Sequence, residues 1–180
     1  ITRVYAIMLQ HCDLHMGFKL ITGGYEAWIS LTRAYYETQY VFVAADPNVR
    51  AITDVPRDRP IGATLGTSAH LSLLAYLRTA PDTERWPIFP MSNDALALQS
   101  VLNGTIGAAL VWAPTLWATQ RNDPAYAALH VIEQNPIQPV TLGVGALMLV
   151  DQTFLRAAVD EAITALTADG TIAEILAYYG

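Results

Sequence analysis

Residues 61–68 read Ile61-Gly62-Ala63-Thr64-Leu65-Gly66-Thr67-Ser68, a short strand that runs straight into glycine, threonine and serine. Either Thr67 or Ser68 can act as a helix N-cap, its side-chain oxygen accepting one of the first unpaired N–H groups. The predicted helix carries Leu71, Leu74, Ala75 and Leu77 as its apolar positions. Upstream, Pro56, Asp58 and Pro60 mark a connector. Downstream the alternation continues with a Pro-broken strand over 86–91 and Asn93 as a second N-cap. The next helix carries Ala95, Leu98, Val101 and Leu102 and stops at Asn103-Gly104. A buried strand over 108–112 follows, and Pro114 suits the first turn of another helix. Strand, helix and strand in regular succession predict an α/β fold with parallel or mixed sheets flanked by helices.

Working outward, Ile1, Val4, Tyr5, Met8 and Leu9 form the stripe of an amphipathic helix over 1–10. A strand over 12–17 leads into a loop through Thr22-Gly23-Gly24, and the strand at Tyr40-Val41-Phe42-Val43 stops at Asp46-Pro47. A strand over 143–150 precedes helices over 153–166 and 171–178, separated by Asp169-Gly170. The 180 residues are 53% hydrophobic and 14% charged, enough to bury a core and to exclude disorder. A net charge of −6, with cations limited to nine Arg and Lys19, leaves no basic stripe for a phosphate backbone. The apolar run 140–150 is shorter than the roughly 20 residues that span a bilayer. Cys12 is the single cysteine, so neither an internal disulfide framework nor a Cys-rich zinc site is expected.

Four ordered segments resemble the periplasmic solute-binding proteins of the small polar and amino-acid type (family 3). They are Cys12-Asp13-Leu14-His15-Met16-Gly17 with Leu31-Thr32-Arg33-Ala34-Tyr35-Tyr36; Ile61-Gly62 through Leu65-Gly66-Thr67; Leu102-Asn103-Gly104-Thr105-Ile106 into Ala109-Leu110-Val111; and Leu155 to Tyr179. The resemblance implies a two-lobed type II periplasmic-binding-protein-like fold. Residues 1–45 with 140–180 would form one lobe, 46–139 the other, with crossings near 44–47 and 140–143. Family members open with a strand, helix and strand that precede the matched segments, so the first lobe is expected to be incomplete at its N-terminus. The chain is expected in the periplasm.

The Gly66-Thr67-Ser68 turn is the first candidate site, because unpaired N–H groups at a helix N-terminus suit a carboxylate. Ordinary capping accounts for the same residues equally well. The resemblance also implies an arginine three residues after the loop threonine Thr22, where this chain has Tyr25. It implies an aspartate at the end of the 108–112 strand, where this chain has Trp112, and another in the preceding turn, where it has Gly107. A zwitterion would then be desolvated without compensation, so a standard α-amino acid is not the expected ligand. Arg33 offers a substitute guanidinium, although a place beside the site as a surface residue is the favoured reading. Tyr25, Trp28, Tyr35, Tyr36, Trp112 and Trp117 fall on or near family cleft positions, where they would grip a ligand or a partner, although aromatics of this kind also serve as core.

His11, Cys12, Asp13 and His15 look like a metal cluster, but on a strand the two histidines lie about 13 Å apart and cannot share an ion. No metal site and no cofactor is expected. No Gly-x-Ser-x-Gly elbow occurs, and no acid stands at a suitable spacing to serve a Cys–His pair, so the chain is read as non-enzymatic. Two roles compete. One is the soluble receptor of an ABC importer, partnered by a permease. The other, placed slightly ahead, is an accessory that assists or activates a quinoprotein methanol dehydrogenase. A subset of the family with that role resembles this chain in Cys12-Asp13-Leu14-His15-Met16-Gly17, Gly24-Tyr25, Thr32-Arg33-Ala34-Tyr35-Tyr36 and Tyr40-Val41-Phe42-Val43.

Overall fold

The computed structural model describes residues 2–21, 23–137 and 141–179. Thr22, the loop threonine singled out above, lies outside them, as does part of the expected crossing at 140–143. In chain order the elements are α1 (Thr2–Gln10), β1 (His15–Lys19), β2 (Ile29–Leu31), β3 (Tyr36–Ala44), β4 (Ile61–Thr64), α2 (Ser68–Thr79), β5 (Ile88–Met91) and α3 (Asp94–Leu102). They continue with β6 (Ala108–Trp112), α4 (Ala113–Asn122), β7 (His130–Val131), β8 (Thr141–Leu149), α5 (Thr153–Ala168) and α6 (Thr171–Tyr179).

The chain divides into two compact units, Ile1–Thr38 with Thr141–Gly180, and Gln39–Val140. The first boundary falls inside β3 rather than beyond its end at Asp46-Pro47. β3 is nine residues long and starts four residues before the β-forming run that betrays it in the sequence, so its first residues, through Thr38, belong to one unit and its buried half to the other.

In the first unit β1 and β2 both pair antiparallel with β8. β1 starts at His15, later than the expected Cys12, and the Cys12 thiol before it donates to the Leu14 carbonyl at 3.5 Å. Gly145 sits where β8 is crossed closely, and a Cβ there would lie 2.8 Å from Thr32 Oγ1 and 2.9 Å from the Arg33 carbonyl. The Thr32 hydroxyl accepts from Ala146 N at 2.8 Å and donates to the Arg33 carbonyl at 2.9 Å. Helix α5 buries only Ile163 among the described residues, leaving Phe154 87% exposed.

In the second unit β5, β4 and β6 run parallel, β3 pairs antiparallel with β6, and β7 adds to β3. One core cluster gathers Val41, Val43 and Val111 from one face of the sheet with Leu98, Val101 and Leu116 from the helices packed on it. Helix α2 buries Ala69, His70, Leu73 and Leu77, whereas Leu71, one of its expected core positions, is 60% exposed. Periodicity counted His70 as polar and so rotated the predicted face by about one residue, roughly 100°.

Candidate functional site

Three parallel strands of the second unit each end at a helix N-terminus. Thr64 at the end of β4 leads to α2, Met91 at the end of β5 to α3, and Trp112 at the end of β6 to α4. Parallel strands place all three ends on one edge of the sheet, the edge where open α/β sheets bind ligands. Each helix brings roughly half a positive charge and unpaired N–H groups to it.

The Gly66-Thr67-Ser68 turn stands at this edge. Gly66 adopts φ +77°, a left-handed conformation that lets the chain leave β4 and enter α2 within three residues. Thr67 is the N-cap. Its hydroxyl accepts from His70 N at 3.2 Å and donates to the Thr64 carbonyl at 2.7 Å, so its bonding is committed to the turn. His70, itself buried, turns Nδ1 toward the Gly66 N–H at 3.5 Å. The Ser68 hydroxyl oxygen is buried without a hydrogen-bond partner among the described residues. Of the three expected residues, Gly66 and Thr67 build the turn, and Ser68 keeps a buried, unpartnered hydroxyl at its start.

Asp94 is the residue that sequence reasoning missed. It opens α3 directly after the cap Asn93, whose Oδ1 accepts from Leu96 N at 2.8 Å. Asp94 Oδ1 accepts a short hydrogen bond from the Thr64 hydroxyl, and Oδ2 accepts from Trp112 N at 3.0 Å. One half-buried carboxylate thereby ties the end of β4 to the end of β6. This corrects the expectation that no acid stands at the end of β6: position 112 is tryptophan, but a carboxylate reaches its backbone from the neighbouring helix. Its signal in the sequence is the pair Asn93-Asp94 after a strand, an acid in the first turn directly beside the cap. Beside Asp94, the Trp112 and Tyr40 rings meet edge to face with centroids 5.0 Å apart. Trp117 lies further along α4 and is 36% exposed.

The remaining expected residues belong to the first unit, and the structure gives most of them local partners. Tyr25 donates a short hydrogen bond to the Lys19 carbonyl and leans on Phe18, centroids 5.7 Å apart. Trp28 packs edge to face on Tyr5 of α1 at 5.0 Å. Tyr35 accepts from Gly17 N at 3.0 Å; burial pushes its phenol upward in pKa, and the Gly17 bond opposes this less strongly. Tyr36 opens β3 and is half-buried. Arg33 faces α5, with its backbone N donating to Asp160 Oδ1 at 2.7 Å and Nη1 to Thr164 Oγ1 at 2.5 Å. Its guanidinium is therefore held on α5 and does not replace the arginine missing at Tyr25. Near the start of β1, His15 Nδ1 sits 2.8 Å from the Met16 carbonyl, and no three His, Cys, Asp or Glu side chains among the described residues converge on a metal position.

No protein-family model matches the sequence, and no curated protein matches it. Solved structures do match in fold. The arginine-, lysine-, histidine-binding protein ArtJ from Geobacillus stearothermophilus is similar with a TM-score of 0.70 at 20% identity, over 98% of this chain and 73% of that one. The arginine-bound amino acid ABC transporter substrate-binding protein AbpA from Streptococcus pneumoniae gives 0.73 at 14% identity, over 98% and 71%. The ancestral amino acid-binding protein AncCDT-1, a precursor of cyclohexadienyl dehydratase, gives 0.73 at 16% identity, over 98% and 72%. The chain has the type II periplasmic-binding-protein fold, a mixed α/β architecture with helices flanking the sheets.

Proposed function

We propose that this chain is a non-enzymatic solute-binding protein of the family 3 type, acting in the periplasm as the receptor of an ABC importer and taking a small zwitterionic solute of the amino-acid class. The observation that carries the reading is the Asp94 carboxylate beside the α2 N-terminus, on one edge of the second unit. The first-turn N–H groups and Ser68 suit a carboxylate, while Asp94 suits an ammonium. That pairing supplies the compensation that Tyr25 and Trp112 withhold in the sequence pattern. The neighbours in fold favour the same class, since ArtJ and AbpA are described by the amino acids they bind.

Accessory action on a quinoprotein methanol dehydrogenase is the second reading, favoured by the Cys12–Gly17 and Thr32–Tyr36 boxes and by the Trp112–Tyr40 aromatic pair. Calorimetry with the twenty standard amino acids separates the two. Under the receptor reading at least one binds with Kd tighter than about 100 μM, roughly −5.5 kcal/mol. If none does, and the chain pulls down and activates the apo-dehydrogenase, the accessory reading replaces it.

A further inference from the structure

The second unit has a second concavity at the opposite end of its sheet, a cavity of ≈ 430 Å³ lined by Asp46, Val49, Val55, Arg59, Val101 and Leu102 among others. Its place follows from the topology. β4 begins at Ile61 and the parallel β6 at Ala108, while the antiparallel β3 ends at Ala44, so the segments beside them meet at the amino edge. A four-residue strand puts about 13 Å between this edge and the Asp94 edge.

The lining mixes polar and apolar surface, and Val49, Val55 and Val101 beneath it are 6%, 1% and 2% exposed, so they back the cavity more than they face it. Two glycines shape the wall. A Cβ on Gly107 would fall 2.6 Å from Val55 Cγ1 and 3.0 Å from Arg59 Cβ, so only glycine lets the Arg59 stem lie here. A Cβ on Gly104 would stand 3.5 Å from Arg59 Nη2, which puts the guanidinium against bare backbone at the rim.

Opposite charges line this cavity and do not neutralise each other. Among the described residues Arg59's guanidinium has no hydrogen bond or ion pair. Asp46 accepts from Asn48 N at 2.9 Å and Asn48 Nδ2 at 3.0 Å, both through Oδ1, which leaves Oδ2 open. An unpaired guanidinium and an open carboxylate on the wall of one cavity complement a small molecule that carries both an anion and a cation. We infer that this cavity is a second ligand site, distinct from the Asp94 edge, for a small ω-amino carboxylate held by Arg59 at its carboxylate and Asp46 at its ammonium. The cavity size falls within the roughly 300–1,000 Å³ of small-molecule sites.

The test is calorimetric titration of the full chain with 6-aminohexanoate, hexanoate and hexylammonium. Wild type binds 6-aminohexanoate at least about tenfold more tightly than either single-charge analogue, as one charged hydrogen bond is worth. Arg59→Gln and Asp46→Asn each remove that advantage, and both positions are exposed, so the fold tolerates them. Asp94→Asn leaves it unchanged. Three results overturn the inference: no binding by the wild type, equal binding of hexanoate and 6-aminohexanoate, or an effect of Asp94→Asn with none of Arg59→Gln. None of these touches the receptor reading, which stands or falls on α-amino acids at the other edge.

Discussion

Asp94→Ala removes the acceptor of two hydrogen bonds at once. It strips Trp112 N of its partner at 3.0 Å and leaves the Thr64 hydroxyl to find another. Hydrogen bonds to a charged acceptor contribute about 1.5–3 kcal/mol each, and the half-buried site recovers part of that from water. Loss of a first-turn acid from α3 adds about 0.5 kcal/mol. The expected net loss is about 2–3 kcal/mol in the second unit. Asp94→Asn is the control. Its Oδ1 still accepts from Trp112 N, and its Nδ2 donates to a rotated Thr64 hydroxyl, so the geometry survives without the charge. That variant is expected to lose about 1 kcal/mol or less while weakening α-amino acid binding at least about tenfold. Urea unfolding followed by Trp fluorescence measures the first effect, and calorimetry the second. A stability change below about 0.5 kcal/mol in Asp94→Ala refutes the tie between the strand ends. Unchanged amino-acid affinity in Asp94→Asn refutes its role as the acidic partner.

Gly145→Ala drives a Cβ to 2.8 Å from Thr32 Oγ1 and 2.9 Å from the Arg33 carbonyl, a backbone atom that cannot swing aside. It should cost about 2–3 kcal/mol by chemical denaturation. Tyr35 titrates above its ordinary value of 10.0 because burial disfavours the phenolate. Its contribution to stability is complete below that value and is lost as pH rises through the higher folded value, so absorbance at alkaline pH should show one late-titrating tyrosine, absent in Tyr35→Phe. Trp112→Ala removes the ring packed on Tyr40. If the accessory role holds, it weakens dehydrogenase association by at least about 30-fold, whereas under the receptor role it changes solute affinity and leaves a pull-down blank.

The strand–helix alternation of the second unit was legible because local signals agreed at every junction. Gly66-Thr67, Asn93 and Asn103-Gly104 punctuate the chain where the elements end, and the strand over 108–112 stands in the structure with the same bounds. The two-residue β7 and three-residue β2 were not legible, since strands that short carry too few positions to show a period and exist only through their pairing. The packing of the aromatic set was not legible for a related reason. Trp28 and Tyr25 are amphipathic, and nothing in their spacing tells a ring packed on Tyr5 or Phe18 from one facing a ligand.

The position of Asp94 has a more general electrostatic basis. Three helix N-termini on one sheet edge sum to roughly one and a half positive charges at close range. An edge of that kind gains from a carboxylate somewhere on it, but the field does not prescribe which strand or helix supplies the carboxylate. In this chain the end of β6 presents Trp112, and the acid comes instead from the first turn of α3, where its own helix dipole also favours it. Pinned by Thr64 and Trp112 N, that carboxylate keeps its charge at a fixed point while α2, whose first turn contains no acid, keeps an unneutralised N-terminus. A fixed negative charge next to an open positive helix end is a dipole in space, and the small solute that best opposes it is a zwitterion rather than a simple anion or cation.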